Sequence, residues 1–132
     1  MRIKHAPKLS IALVAIVTLP ALAHHSGAMF DDEVELTFSG TVTRFDYLNP
    51  HSWLYVNVEN EDGTMTEWGL ELDAPPRLRR LGVSPNFWGE GDRVTFRTHP
   101  LKDGRPAGAL VGAVTSEGRT FGNVTGISEP SQ

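Results

Sequence analysis

Cysteine is absent from the 132-residue chain. A disulfide framework, a thiolate metal site, an iron–sulfur cluster and a cysteine nucleophile are therefore excluded. Basic residues are in deficit as well. Twelve Lys and Arg stand against 16 Asp and Glu, which argues against a general nucleic-acid binder. Long hydrophobic runs are scarce. The apolar run Leu9 to Leu19 is too short for a comfortable membrane span, and no later segment is a candidate. The chain also lacks internal repeats, a Gly-x-Ser-x-Gly elbow, a Walker loop and a dinucleotide fingerprint. No serine, histidine and acid set emerges from the spacings, so no catalytic residue is assigned and a non-catalytic protein is expected.

What remains is a globular composition. Hydrophobic residues at 39% and charged residues at 21% exceed what a disordered chain carries on the apolar side. Thirteen glycines and nine prolines favour a turn-rich β protein. The N-terminus reads as an export signal. Arg2, Lys4 and Lys8 precede the apolar run, which ends in Pro20 and then Ala21-Leu22-Ala23. Small residues at 21 and 23 fit cleavage after Ala23. There is no twin-arginine pair, so the general secretory route and a periplasmic or secreted protein are expected. Removal of residues 1–23 leaves 9 basic residues facing 16 acidic ones, a net charge of −7 with neutral histidine. The expected organisation is a signal peptide at 1–23, a single domain at 24–122 and a flexible tail at 123–132. No transmembrane segment is expected in the mature chain.

Period-two patterning dominates the mature sequence. Leu36 to Phe45 reads as a first strand, with Leu36, Phe38, Gly40 and Val42 on one face. Gly40 inside it suggests a bulge or a sharp bend. His51 to Glu59 is a second strand. Asn60-Glu61-Asp62-Gly63-Thr64 predicts a type I turn with a glycine bulge. That turn sets the register of strands two and three, with paired numbers summing to 124. Leu54, Val56 and Val58 then face the core with Leu70, Trp68 and Thr66. Trp53, Tyr55 and Asn57 lie on the outer face with Glu71, Gly69 and Glu67, and His51 lies opposite Asp73. Ala74 to Leu81 is the one helical stretch. Asp73 can cap it, prolines sit in its first turn, and Gly82 stops it. Asn86-Phe87-Trp88-Gly89 reads as a loop packing aromatics on a barrel end. Arg93 to His99 and Ala107 to Thr115 complete five strands. The fold class is all-β with small α content. Its architecture is a five-stranded OB-like barrel with one short helix between strands 3 and 4.

Cleavage after Ala23 would make His24 the free N-terminus, followed by His25. A terminal histidine offers its α-amine and its ring nitrogen as a chelating pair, and the next histidine adds a second ring. Amine and imidazole donors suit Cu(II) or a similar metal best. His51 is the candidate third ligand, with Asp73 the carboxylate expected to orient its ring. Met29 is a soft donor only for Cu(I). The acidic run Asp31, Asp32, Glu33 and Glu35 lacks the alternation of a calcium loop and reads as a solvated lead-in to strand one. On the outer face, Trp53, Tyr55, Asn57, Glu67 and Glu71 form an amphipathic platform. It suits a small ligand or an envelope protein.

The chain resembles a family of small, uncharacterised bacterial exported proteins, a domain of unknown function. Their mature chains begin Ala-His-His-Ser and carry Asn-Pro-His before an aromatic strand. The matching pieces are Ala23-His24-His25-Ser26, Phe38-Ser39-Gly40-Thr41-Val42, Asn49-Pro50-His51-Ser52-Trp53, Trp68 with Glu71, and Gly91-Asp92-Arg93-Val94. The resemblance implies an exported β-rich domain and supplies no activity. Two function classes follow from the residues. The first is an exported binding domain that holds copper or a similar metal through His24, His25 and His51. The second is an envelope protein-interaction or small-ligand module built on the aromatic face of strands 2 and 3. Neither calls for nucleic acid.

Overall fold

Strand pairing in the computed structural model, which describes residues 27–131, closes a barrel. Among the described residues, a 3-10 turn at Gly27–Met29 is followed by six strands and one α-helix in the order β1 (Leu36–Asp46), β2 (Ser52–Glu59), β3 (Met65–Leu72), α1 (Pro75–Arg80), β4 (Arg93–Pro100), β5 (Ala107–Thr115) and β6 (Thr120–Gly122). Neighbours run β3-β2-β1-β4-β5-β6, and β3 also pairs with β5 in parallel. Strands β1 to β5 thus close on themselves. The helix lies between β3 and β4, so the OB-like order read from the sequence is the observed one. The short strand β6 is an addition that the patterning did not predict. It pairs with β5 through Gly112 to Val114.

β1 serves two partners. Its first half, Leu36 to Thr41, pairs with β4, and its second half, Thr41 to Asp46, pairs with β2. A strand that changes partner along its length must coil strongly. Gly40 permits this, because a Cβ there would collide with the Asn57 carbonyl and the Val56 side chain. The bulge itself lies between Val42 and Arg44. Gly40 therefore supplies close backbone approach, and the bend follows three residues later.

The β2–β3 hairpin has the predicted register, from Ser52 with Leu72 to Glu59 with Met65. Its turn is held by Asn60 N–H to the Thr64 carbonyl at 2.8 Å and Gly63 N–H to the Asn60 carbonyl at 2.9 Å. Gly63 takes φ +81°, a left-handed value that a side chain would strain. Val42, Leu54, Val56, Leu70, Val94 and Phe96 fill the barrel interior and are fully buried.

The helix is one residue shorter at each end than the sequence reading. Ala74 is its N-cap and makes no side-chain cap bond. Asp73 does not cap. Its carboxylate instead accepts from Arg77 Nε at 2.8 Å, one turn into the helix. Gly82, at φ +82°, lets the chain leave the helix as expected. Leu78 and Val83 are buried against the barrel floor. Tyr47 ties this floor down, its hydroxyl shared between the carbonyls of Pro75 and Val83 at 3.0 and 3.1 Å. Trp88 completes the seal, in edge-on contact with Phe45, Phe87 and Phe121. Among the described residues, no helix is long and apolar enough to cross a membrane.

Candidate functional site

The first strand pair positions His51 just before β2, on the outer surface of the barrel. Alternation of side chains along β2 puts His51, Trp53, Tyr55 and Asn57 on one face. Glu67 and Glu71 join them from β3, opposite Asn57 and Trp53 respectively. His51 finds a carboxylate, but a different one from that expected. Its Nδ1 lies 3.0 Å from Glu71 Oε1. Asp73 is engaged with Arg77 instead. The reason is the twist of the sheet, which brings diagonal neighbours two residues out of register within reach of long side chains.

The Glu71 side chain is only 11% exposed. Burial pushes its carboxyl above the ordinary value, and the charge of His51 pulls partly the other way. The pair orients the ring. With Nδ1 turned to the carboxylate, Nε2 is the nitrogen left for another partner. His51 lines a cleft of about 300 Å³, with Asp32, Glu71 and Asp73 as the other charged residues of its lining. Asp32 comes from the acidic run that the sequence reading treated as a lead-in. Phe30 closes the cleft floor, buried and bridged to Leu101 in the β4–β5 turn. Gly27, the first described residue, lies on the lining of the same cleft.

His24 and His25 lie outside the described residues. Among the described residues, no group of three or more His, Asp or Glu side chains is arranged to hold a metal ion. His99 stands apart. Its Nδ1 is 2.9 Å from the Val34 carbonyl, which fastens the approach to β1.

The aromatic platform has its own geometry. Trp53 and Tyr55 stack, with ring centroids 6.4 Å apart and an interplanar angle of 27°. Both rings rest over Gly69 of β3, whose missing side chain leaves them room. The Arg44 guanidinium lies 3.5 Å from the Tyr55 ring centroid, on the opposite side of β2 from β3. Glu67 is occupied: it accepts from the Thr43 hydroxyl at 2.8 Å and stands 3.7 Å from Arg44 Nη1. A second cleft, of about 370 Å³, opens beside Trp53 and Tyr55. Met29, Leu101 and Pro106 form its far wall. Asn57 faces Glu67 across the ladder and is not part of that cleft. The sequence signalled the platform through period-two alternation. It gave no signal for the far wall, which comes from segments distant in the chain.

A family model described as "Family of unknown function (DUF6152)" matches residues 12–110. No curated protein and no solved structure matches the chain.

Proposed function

The chain belongs to this family of unknown function, and from that premise and the geometry above we propose that it is an exported, non-catalytic binding domain. Its ligand in this reading is Cu(II) or a similar metal, bound by a processed N-terminal His24-His25 together with His51. One observation carries the reading: Gly27 lies on the lining of the cleft that holds the His51–Glu71 pair. His25 is two residues before Gly27. Two residues of chain reach at most about 7 Å, at 3.3–3.6 Å per residue. In this reading the terminal amine, the two rings and the His51 ring meet at that cleft. Glu71 would orient His51 from behind, the arrangement that strengthens imidazole as a ligand. Asp32 and Asp73 add negative charge to the cleft lining, which draws cations.

The test begins with the mass of protein exported by its own signal, followed by Cu(II) titration of that material. The expected result is a chain starting at His24 with one tight site. His51→Ala should weaken the site about tenfold or more, in line with the loss of one ligand. Affinity should fall as the solution is acidified, because the ligands must be unprotonated. A different start, or weak uptake without stoichiometry, rejects the reading.

A second reading uses the Trp53–Tyr55 platform as the binding face for an envelope protein or a small ligand. The cleft between these rings and Pro106 favours it. Trp53→Ala and Tyr55→Ala should then abolish partner capture and leave the fold intact. Capture unchanged in both variants rejects that face.

A further inference from the structure

The mouth of the barrel opposite α1 carries a second site, independent of the metal reading. Closure between β3 and β5 is short. It spans Gly69 to Glu71 on one strand and Ala107 to Ala109 on the other. The first half of β3 therefore has no strand on its far side, and the barrel is open there. The opening is a cavity of about 550 Å³, within the size range of small-molecule sites.

Two aromatic rings stand among its lining residues. Phe38 of β1 and Trp68 of β3 line it, with ring centroids 4.8 Å apart and planes tilted by 36°. Both point to the barrel interior by register, yet both remain only half-buried. Beneath them Phe96 is fully buried, 5.9 Å from Phe38 and 6.4 Å from Trp68 between centroids. The rim is acidic. Glu59 and Glu61 border the cavity from the hairpin. Among the described residues, no side chain pairs with either carboxylate. Their neighbour Asn60 cannot serve them, because its amide donates to the hydroxyls of Thr64 and Thr66 at 2.9 Å each. Arg105, between the lining residues Gly104 and Pro106, is held by Asp103 at 2.8 Å.

A pair of aromatic rings beside unpaired carboxylates favours positive charge on an apolar body. The ring faces attract a cation through their quadrupoles, and the rim attracts it through its net charge. A strongly hydrated metal ion gains little from ring faces. A neutral aromatic gains nothing from the rim. We propose that this mouth binds a small organic cation of the quaternary ammonium class.

The experiment uses the processed full-length protein in low-salt buffer, with choline as the probe. Its carbon isostere 3,3-dimethylbutan-1-ol, which has the same shape without the charge, is the control. NMR follows the indole signals of Trp53, Trp68 and Trp88. Choline should give a saturable shift confined to the Trp68 signal. The isostere should bind about threefold to fivefold more weakly, the ratio that a partly exposed cation–π contact supplies. Glu59→Gln with Glu61→Gln should weaken choline about threefold to tenfold and should raise no folding concern, since both side chains are exposed. No saturable shift at Trp68, equal binding of the isostere, or an unchanged affinity in the double variant would each overturn the proposal. A choline shift at Trp53 alone would also overturn it and move cation binding to the outer platform. Failure here leaves the copper titration untouched, because the two sites share no residue.

Discussion

Trp88 and Trp68 both cap the hydrophobic interior of one barrel, but Trp88 is 3% exposed and Trp68 is left half-open to solvent. They sit at opposite ends. β1 runs past both, with Phe38 packed on Trp68 near its start and Phe45 packed on Trp88 near its finish. These two phenylalanines are seven positions apart, or about 23 Å of extended strand. At the far end, α1, the loop at 86–89, Tyr47 and Phe121 all converge on the floor. At the mouth there is only a five-residue hairpin turn and the β4–β5 turn. The barrel closes where helix and loop bring extra apolar mass, and stays open where turns carry charge. The difference separates a sealed end from an open one, and the proposed cation site lies at the open end.

The largest test of that contrast is a pair of tryptophan truncations. Trp88→Ala removes a fully packed ring and should cost about 3–5 kcal/mol. Trp68→Ala loses a ring that already meets solvent and should cost no more than about 2 kcal/mol. Urea unfolding of both variants measures the two values directly. Equal losses would break the distinction between a sealed and an open end.

Most of this architecture was legible in the sequence, and the reasons are local. Asn60 and Gly63 dictate a turn, the turn dictates the register, and the register sorts every side chain of β2 and β3 to a face. Asn86 to Gly89 announced aromatics at a barrel end, and Trp88 is buried there. What stayed hidden depends on contacts between distant segments. The parallel meeting of β3 with β5 has no local signature, so the open mouth beside it could not be foreseen. Phe121 lies in a three-residue strand too short to show periodicity, yet it packs on Trp88. His51 was assigned to Asp73 by straight ladder counting, and sheet twist gave it Glu71 instead. The candidate cleft was half legible: His51 was named, but Asp32, Phe30 and Glu71 in their actual roles were not. The two histidines that the metal reading needs besides His51 lie before the described residues.

A smaller test probes the sealed end through a single hydroxyl. Tyr47→Phe keeps the ring against Phe45 and removes the hydrogen bond shared by Pro75 and Val83. The expected loss is about 0.5–1.5 kcal/mol, read from the same unfolding curves. The matching change at the mouth is Glu59→Gln with Glu61→Gln, which should shift stability by no more than about 0.5 kcal/mol. If the mouth variant cost more than Tyr47→Phe, its rim would be holding the fold together rather than presenting charge.

The last test sits between the ends, in the cleft that Phe121 and Glu71 both line. Burial raises the Glu71 carboxyl above 4.5, and His51 opposes the rise. Above its ordinary value but below its raised one, the folded protein holds a proton on Glu71 that the unfolded chain has released. Stability therefore falls as pH rises through that window. Glu71→Gln cannot ionise, so its stability relative to the parent should climb across the same window and level off above it. The slope for one proton is bounded at about 1.4 kcal/mol per pH unit. His51→Ala removes the opposing charge and should extend the window upward. Thermal unfolding at a series of pH values, with a chelator present, reads both differences. A flat difference for Glu71→Gln would mean that water reaches the carboxylate freely, and that the cleft is no drier than the open mouth.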